Sequence, residues 1–79
     1  MKLLDLKEGA AAAISRIAGG KGVTSRMAGL GLYKGKKVRV IRTAPFRGPL
    51  LIEDVLSGAR TMIGRGIASM IEVQDEERE

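Results

Sequence analysis

Short stretches of alternating apolar and polar residues dominate the second half of the chain. The clearest is KVRVIR, residues 37–42, in which Val38 and Val40 share one face and Arg39 lies on the other. A period of two residues is typical of a β-strand with one buried face. The glycine turn YKGK, residues 33–36, ends where this pattern begins, so we predict a turn followed by a strand.

Three more strands are predicted farther along the chain. The runs LLIEDVL (50–56) and ARTMIG (59–64) enclose Ser57-Gly58, a pair that can close a β-hairpin. TAPFRGPL (43–50) contains two prolines and a glycine and predicts a loop. GRGIASM predicts a short turn or a single turn of helix. IEV (71–73) predicts the last strand, because its two apolar residues face the same way.

The first half of the chain is less decisive. AAAAISRIA, residues 10–18, begins with four alanines that favour a helix, yet Ala10, Ala12 and Ile14 would also line one face of a strand. The pattern alone leaves both elements open. The preceding MKLLDLKEG predicts either a short helical turn or an extended arm that ends at Gly9.

One short helix is predicted between these two regions. Thr24 or Ser25 can cap its first turn through a side-chain oxygen. Val23, Met27 and Leu30 then lie on one side of the helix. The spacing gives the predicted helix one apolar side.

The sequence Leu-Gly-Leu at 30–32 predicts the end of this helix. Gly31 stands where a helix end favours a left-handed residue, and in a Schellman arrangement Leu32 folds back onto Met27. A dinucleotide-binding loop requires strand, glycines and helix in that order, and here the order is reversed. The glycines therefore indicate a helix end. Together the elements predict a mainly β fold, a small and partly open barrel of about five strands.

Composition excludes several kinds of chemistry. The 79 residues include no Cys and no His, which removes disulfides, the usual zinc ligands and the Ser-His and Cys-His pairs of hydrolases. Glu53 and Asp54 are adjacent on a predicted strand and should point to opposite faces, which argues against a shared cation site. We predict no catalytic residue, no cofactor and no metal ligand.

Charge is concentrated in one region of a chain whose formal net charge is +5. Residues 34–47 carry six bases, namely Lys34, Lys36, Lys37, Arg39, Arg42 and Arg47. Such a region suggests an anionic partner: nucleic acid, a lipid headgroup surface or an acidic protein. Residues 75–79 carry four acids and one base. We predict that this tail is disordered and that the domain spans residues 1–74.

Residues 3–74 resemble the FeoA family. The matching positions are Leu3, Leu6, Gly9, LGL at 30–32, Gly35, VRV at 38–40, APF at 44–46, Gly48-Pro49, Ile52, Val55, Gly58 and IGRGIASMIEV at 63–73. The resemblance implies an SH3-like small β-barrel with one short helix between the first two strands. The same fold forms the C-terminal domain of DtxR-type repressors. The resemblance assigns AAAAISRIA to the first strand, since strand pairing can override the helix propensity of alanine.

The resemblance also implies a function. It suggests a non-enzymatic cytoplasmic accessory protein of bacterial ferrous iron uptake. The expected partner is FeoB, a membrane transporter with a cytosolic GTP-binding domain. The family is linked to transition metal ion binding, whereas this chain lacks His and Cys. Lys34 stands where the family commonly has Pro, which leaves the turn less preorganised.

The predicted partner-binding site is the groove between the helix and the barrel. It combines the apolar helix-to-strand segment with the basic strand beside it. Its residues are Arg26, Met27, Leu30, Leu32 and Tyr33 as contacts, with Lys36 and Arg39 for electrostatic steering. Two alternatives stay open: a basic SH3-like nucleic-acid-binding module, and a detached regulator domain that binds proline-rich peptides. Proteins that bind single-stranded nucleic acid or proline-rich peptides usually carry several aromatic residues, and the chain has Tyr33 and Phe46.

Overall fold

The structure, a computed structural model, describes residues 1–46 and 48–75, with Asp75 described by its backbone alone. A 3-10 turn, Leu3–Asp5, comes first, and five strands and two α-helices follow. They are β1 Ala11–Ile17, α1 Gly20–Gly29, β2 Lys37–Thr43, β3 Leu50–Asp54, β4 Arg60–Ile63, α2 Arg65–Met70 and β5 Ile71–Asp75. The predicted mainly β fold with a short helix between the first two strands is confirmed. The segment GRGIASM forms the second short helix.

All five strands form one antiparallel sheet in the order β4-β3-β2-β1-β5. β-bulges interrupt β1 between Ile14 and Arg16, and β2 between Val40 and Arg42. A bulge bends its strand and increases the local twist, which lets a short sheet curl towards a barrel.

The alanine-rich segment forms β1, in spite of the preference of alanine for helices. The strand lies between β2 and β5, and its register pairs Ala12 with Val38 and Ile14 with Val73. Ala12 and Ile14 are buried in the core. Pairing along both edges and burial outweigh a helix preference of roughly 0.5 kcal/mol per residue.

The core is apolar throughout the described residues, and three segments outside the sheet contribute to it. Leu3 and Leu6 come from the 3-10 turn and the residue after it, so the amino-terminal segment is a helical turn. Met27, Leu32 and Ala68 come from α1, its end and α2. The strands supply the rest: Ala12, Ile14, Val38, Val40, Leu50, Ile52, Ile63, Ile71 and Val73.

The carboxyl-terminal tail is described only at its first residue. β5 runs to Asp75, and residues 76–79 lie outside the described residues. The predicted disorder of the tail therefore stays a prediction. In the part of the chain that the structure describes, no helix has the length and apolar character needed to span a membrane.

α1 begins one turn earlier than predicted. Its first residue is Gly20 and its N-cap is Gly19, which makes no side-chain cap hydrogen bond. The Thr24 hydroxyl donates to the Gly20 carbonyl at 2.8 Å, a bond inside the helix that does not cap it. The prediction that Thr24 or Ser25 caps the helix is wrong. Gly19 and Gly20, with φ of 113° and 84°, already turn the chain from β1 into the helix.

The end of α1 has the predicted Schellman arrangement. Gly31 has a φ of 85°, and its N–H donates to the Ala28 carbonyl at 2.9 Å. The Leu32 N–H donates to the Met27 carbonyl, also at 2.9 Å. These bonds satisfy the last helical carbonyls and fold Leu32 back onto the core. As a result Leu32 is 3% exposed, whereas Leu30 is 48% exposed.

Glycine inside α1 weakens the helix, and one position can be improved. A Cβ added at Gly22 would meet no atom within 4 Å. We expect Gly22→Ala to stabilise the domain by about 0.5–1 kcal/mol, because alanine loses less backbone entropy in a helix. Gly31→Ala is the opposite control and should cost about 1 kcal/mol or more, since its φ of 85° is strained for any side chain. Urea unfolding measures both, and a less stable Gly22→Ala would contradict this description of α1.

Candidate functional site

Four of the seven predicted site residues meet at one end of the barrel. Leu30, Leu32 and Lys36 line a cavity of about 130 Å³. Tyr33 and Lys36 line a neighbouring cavity of about 420 Å³. Lys36 and Asp54 belong to both, and we refer to the two cavities together as the end groove. Its described lining residues are Leu30, Gly31, Leu32, Tyr33, Gly35, Lys36, Lys37, Val38, Ile52, Asp54, Val55, Leu56, Ala59 and Thr61.

Two turns form the walls of the larger cavity, and each is fixed on the sheet. In the turn between α1 and β2, the Gly35 N–H donates to the Ile14 carbonyl at 2.7 Å. In the turn between β3 and β4, the Val55 N–H donates to the Lys37 carbonyl at 3.2 Å. Because backbone bonds to the neighbouring strands hold both turns, the cavity is preformed.

An ion pair between Lys36 and Asp54 joins the two turns. Nζ of Lys36 donates to Oδ2 of Asp54, and the two side chains are 18% and 17% exposed. Oδ1 of Asp54 accepts the N–H groups of Leu56 at 2.9 Å and Ser57 at 3.3 Å. Nζ of Lys36 also lies 5.4 Å from the centre of the Tyr33 ring, within range of a cation–π interaction. One carboxylate therefore holds both the β3–β4 turn and the lysine beside it.

The Lys36–Asp54 pair stays charged at neutral pH. The hydrogen bond from Lys36 lowers the pKa of Asp54 to about 2, although burial opposes the shift. The same hydrogen bond raises the pKa of Lys36. Neither group can exchange a proton readily near neutral pH, so the pair stabilises the structure and is not suited to acid–base catalysis.

Three apolar side chains are exposed around the end groove. Leu56 is 94% exposed, Leu30 48% and Tyr33 47%. Leu56 is not among the residues predicted from the sequence, because the strand predicted over 50–56 places it inside the sheet. β3 ends instead at Asp54, whose carboxylate binds the N–H groups that follow and starts the turn. The pattern Asp-x-x-Ser-Gly at 54–58 is the sequence signal for this turn.

The other three predicted residues lie outside the end groove. Met27 is 2% exposed and belongs to the core. Its assignment to a contact surface is wrong, because this side of α1 faces the sheet. Arg39 is on β2, and its guanidinium donates to the Gly9 carbonyl at 2.7 Å. Arg26 is exposed on α1.

The bases between residues 34 and 47 do not share one role. Lys36 pairs with Asp54, and Arg39 binds a backbone carbonyl. Lys37 lines the end groove, whereas Arg42 lines a separate cavity on another part of the sheet. Arg47 lies outside the described residues. This division does not favour the nucleic-acid-binding alternative, which needs the positive charge on one surface.

The described acidic residues do not form a metal centre. Within residues 1–46 and 48–75, no three side chains of the kinds that ligate metals come together. Asp54 lines the end groove, but its two oxygens are bound by Lys36 and by backbone N–H groups. We therefore assign no resident ion to the end groove.

Comparison with known proteins links almost the whole chain to one family. A sequence profile of the FeoA domain matches residues 1–75. Over 71 residues the chain is 37% identical to a protein of Methanocaldococcus jannaschii that carries the name Fe(2+) transport protein A. That match covers 90% of this chain and 82% of the relative.

Solved structures share the fold. The solution NMR structure of the FeoA protein from Chlorobium tepidum has a TM-score of 0.83 at 33% identity, over 96% of this chain and 70% of that chain. A manganese-dependent transcriptional repressor in complex with manganese has a TM-score of 0.84 at 22% identity, over 95% of this chain and 36% of that chain. At this identity the second likeness shows the fold alone. The predicted SH3-like barrel, shared with repressor domains, is confirmed.

Proposed function

Since this chain belongs to the FeoA family, we propose that it is a non-enzymatic cytoplasmic accessory protein of ferrous iron uptake. In this proposal it docks on the cytosolic part of a FeoB-type membrane transporter. The name of the M. jannaschii relative supports the link to Fe(2+) transport. The end groove, with Leu56 exposed at its rim, is the observation that supports docking.

The end groove has the physical features of a small docking surface. Protein interfaces are commonly anchored by a few apolar side chains surrounded by polar ones. Leu56, Leu30 and Tyr33 supply the exposed apolar area. The Lys36–Asp54 pair lies between the two cavities with its charges already matched. Because hydrogen bonds hold that pair in place, a partner would not need to order it, which lowers the entropic cost of binding.

Positive charge around the end groove would favour an acidic partner surface. Lys34 is exposed in the turn beside Tyr33, and Lys37 lines the groove. Arg26 and Arg39 add positive charge at a greater distance. Attraction of this kind raises the association rate more than the affinity. Association with the transporter should therefore slow as the salt concentration rises.

The variant Leu56→Ser tests the docking site. We expect it to bind the purified cytosolic domain of the transporter at least about tenfold more weakly, since burial of an exposed leucine side chain contributes about 1.5 kcal/mol or more. The fold should be unaffected, because Leu56 is almost fully exposed. Isothermal titration calorimetry with the two purified proteins, without lipid, measures the dissociation constant.

Phe46→Ser is the matched control. Phe46 is as exposed as Leu56 but lies in the β2–β3 loop, outside the end groove. We expect this variant to bind the cytosolic domain as the wild type does. Wild-type affinity in a folded Leu56→Ser variant, or an equal loss in Phe46→Ser, would show that the end groove is not the docking site. No binding by the wild type would remove the transporter domain as the partner.

A further inference from the structure

Phe46 adopts a backbone conformation that does not suit its side chain. Its φ is 58°, in the left-handed region, where Cβ crowds the following carbonyl group and glycine is favoured. The side chain is 98% exposed, so packing in the core does not offset this strain. A strained and fully exposed aromatic residue suggests a role outside the fold itself.

The loop that carries Phe46 is closed tightly at its base. The Ala44 N–H donates to the Pro49 carbonyl and the Gly48 N–H donates to the Pro45 carbonyl, both at 3.1 Å. A Cβ added at Gly48 would lie 2.6 Å from the Ala44 Cβ, so glycine is needed there. Pro45, with its fixed φ, directly precedes Phe46. These constraints hold Phe46 in the loop that joins β2 to β3.

An apolar cavity lies on the outer face of the sheet, next to this loop. Its volume is about 210 Å³, and Ala44 and Pro49 of the loop are among its lining residues. The others, Arg42, Leu51 and Met62, occupy directly paired positions on β2, β3 and β4. Paired residues of antiparallel strands project from the same face of the sheet. We refer to Phe46, Arg42, Leu51 and Met62 together as the tip surface.

Arg42 supplies positive charge at the tip surface. The sequence between residues 38 and 52 contains no acid that could neutralise this charge. The nearby carboxylate of Glu8 accepts the N–H and the hydroxyl of Thr43 at 2.9 and 3.1 Å. On the same sheet face, Glu53 pairs with Arg60 at 3.3 Å. These two carboxylates are already engaged, while Arg42 is exposed.

We propose that the tip surface binds the headgroup region of an anionic membrane. Phe46 and Met62 enter the interface, and Arg42 contacts lipid phosphates. Peripheral proteins bind anionic bilayers through this combination of apolar and basic side chains. A lipid surface fits better than single-stranded nucleic acid, which stacks on several aromatic side chains, because the whole chain has two aromatic residues.

This inference goes beyond the transporter docking proposed above. The tip surface and the end groove share no lining residue among those described. They also lie at opposite ends of β3, since one includes the loop before this strand and the other the turn after it. A membrane contact at the tip surface would therefore leave the end groove free for a protein partner.

The sequence contains no tryptophan, which allows a direct test with a single fluorophore. Phe46→Trp places it at the tip surface, and Leu56→Trp places it at the end groove as a control. With vesicles of phosphatidylglycerol and phosphatidylcholine at low salt, Phe46→Trp emission should move to shorter wavelength and be quenched by brominated lipid. Emission from Leu56→Trp, and from either variant with phosphatidylcholine vesicles alone, should stay unchanged.

Sedimentation of the full chain with the same vesicles measures the contribution of each residue. Phe46→Gly should weaken partitioning about tenfold, the loss expected for one buried phenyl side chain. It should also raise the Tm, because glycine relieves the strained φ. Arg42→Gln should weaken partitioning about fivefold. Arg26→Gln is the matched control, because it removes the same charge from α1. It should weaken partitioning by less than about twofold.

The vesicle experiments can also overturn the proposal. It is wrong if the wild type does not sediment with anionic vesicles, or if Phe46→Gly sediments as the wild type does. Binding of duplex DNA or RNA without any vesicle binding would assign the tip surface to nucleic acid instead. None of these results would alter the lipid-free calorimetry of Leu56→Ser, so failure of the membrane contact and failure of the transporter docking are distinguishable.

Discussion

Leu32→Ala should destabilise the domain by about 2–5 kcal/mol, whereas Leu30→Ala should change its stability by less than about 1 kcal/mol. The two leucines flank Gly31, yet one is buried in the core and the other is half exposed. Truncation of Leu32 leaves a cavity among core side chains. Small domains have unfolding free energies near the low end of about 5–15 kcal/mol, so this loss would remove a large part of the total.

Urea unfolding followed by far-ultraviolet circular dichroism compares the two variants. Both remove the same atoms from the same residue type, so the difference between them reports the environment of each leucine. If the two variants lose similar amounts of stability, the result would contradict the helix end at Gly31, because that arrangement directs Leu32 into the core. A larger loss from Leu30→Ala would contradict it as well.

Asp54→Ala should have the second large effect, because it removes the support of the β3–β4 turn. The variant loses the ion pair with Lys36 and the acceptor for the Leu56 and Ser57 N–H groups. It also leaves the largely buried Lys36 ammonium without its carboxylate, which is unfavourable for a desolvated charge. The urea midpoint should fall, and amide hydrogen exchange at Leu56 and Ser57 should become faster.

The effect of Asp54→Ala should depend on pH in a direction that the pKa of Asp54 determines. In the folded state this pKa is about 2, below the value of about 3.9 in an unfolded chain. At pH values between these two pKa values, the unfolded state binds more protons than the folded state does. The stability that Asp54 confers is therefore complete above about pH 5 and is lost as the pH falls towards 2. The stability difference between wild type and Asp54→Ala should shrink over that range.

Two controls isolate Asp54. Hydrogen bonds from Thr43 also lower the pKa of Glu8, but Glu8 is present in both proteins and cancels from the difference. Glu53→Ala removes the neighbouring carboxylate, whose partner Arg60 is more than half exposed, so it should cost at most about 1 kcal/mol. Equal losses of stability in Asp54→Ala and Glu53→Ala would contradict the role of the Lys36–Asp54 pair. A stability difference between wild type and Asp54→Ala that stays constant down to pH 2 would contradict it as well.

The fold could be predicted from the sequence wherever local and tertiary preferences agree. The alternation in KVRVIR matches a strand that buries Val38 and Val40. Gly31 has a left-handed backbone conformation, which glycine adopts more easily than other residues, so the end of α1 could also be predicted from the sequence. β1 differs, because alanine favours a helix and pairing with two strands distant in sequence decides the outcome. The family resemblance supplied that assignment.

The candidate site was less predictable, because it depends on contacts between distant residues. Which side of α1 faces the sheet determines that Met27 is buried while Leu30 is exposed. The Lys36–Asp54 pair joins two turns, and no local pattern marks it. Leu56 becomes an exposed anchor because β3 ends at Asp54. Apolar periodicity alone extends that strand too far.

The end groove as a docking site is tested most directly by an NMR titration of isotope-labelled protein with the purified cytosolic domain of the transporter. We predict that the largest changes in amide chemical shift occur in residues 30–37 and 54–59, on both sides of the groove, while the amides of residues 43, 44, 46 and 48 stay unchanged. Changes confined to the β2–β3 loop or to β5 would contradict the assignment of the end groove as the surface that binds the transporter.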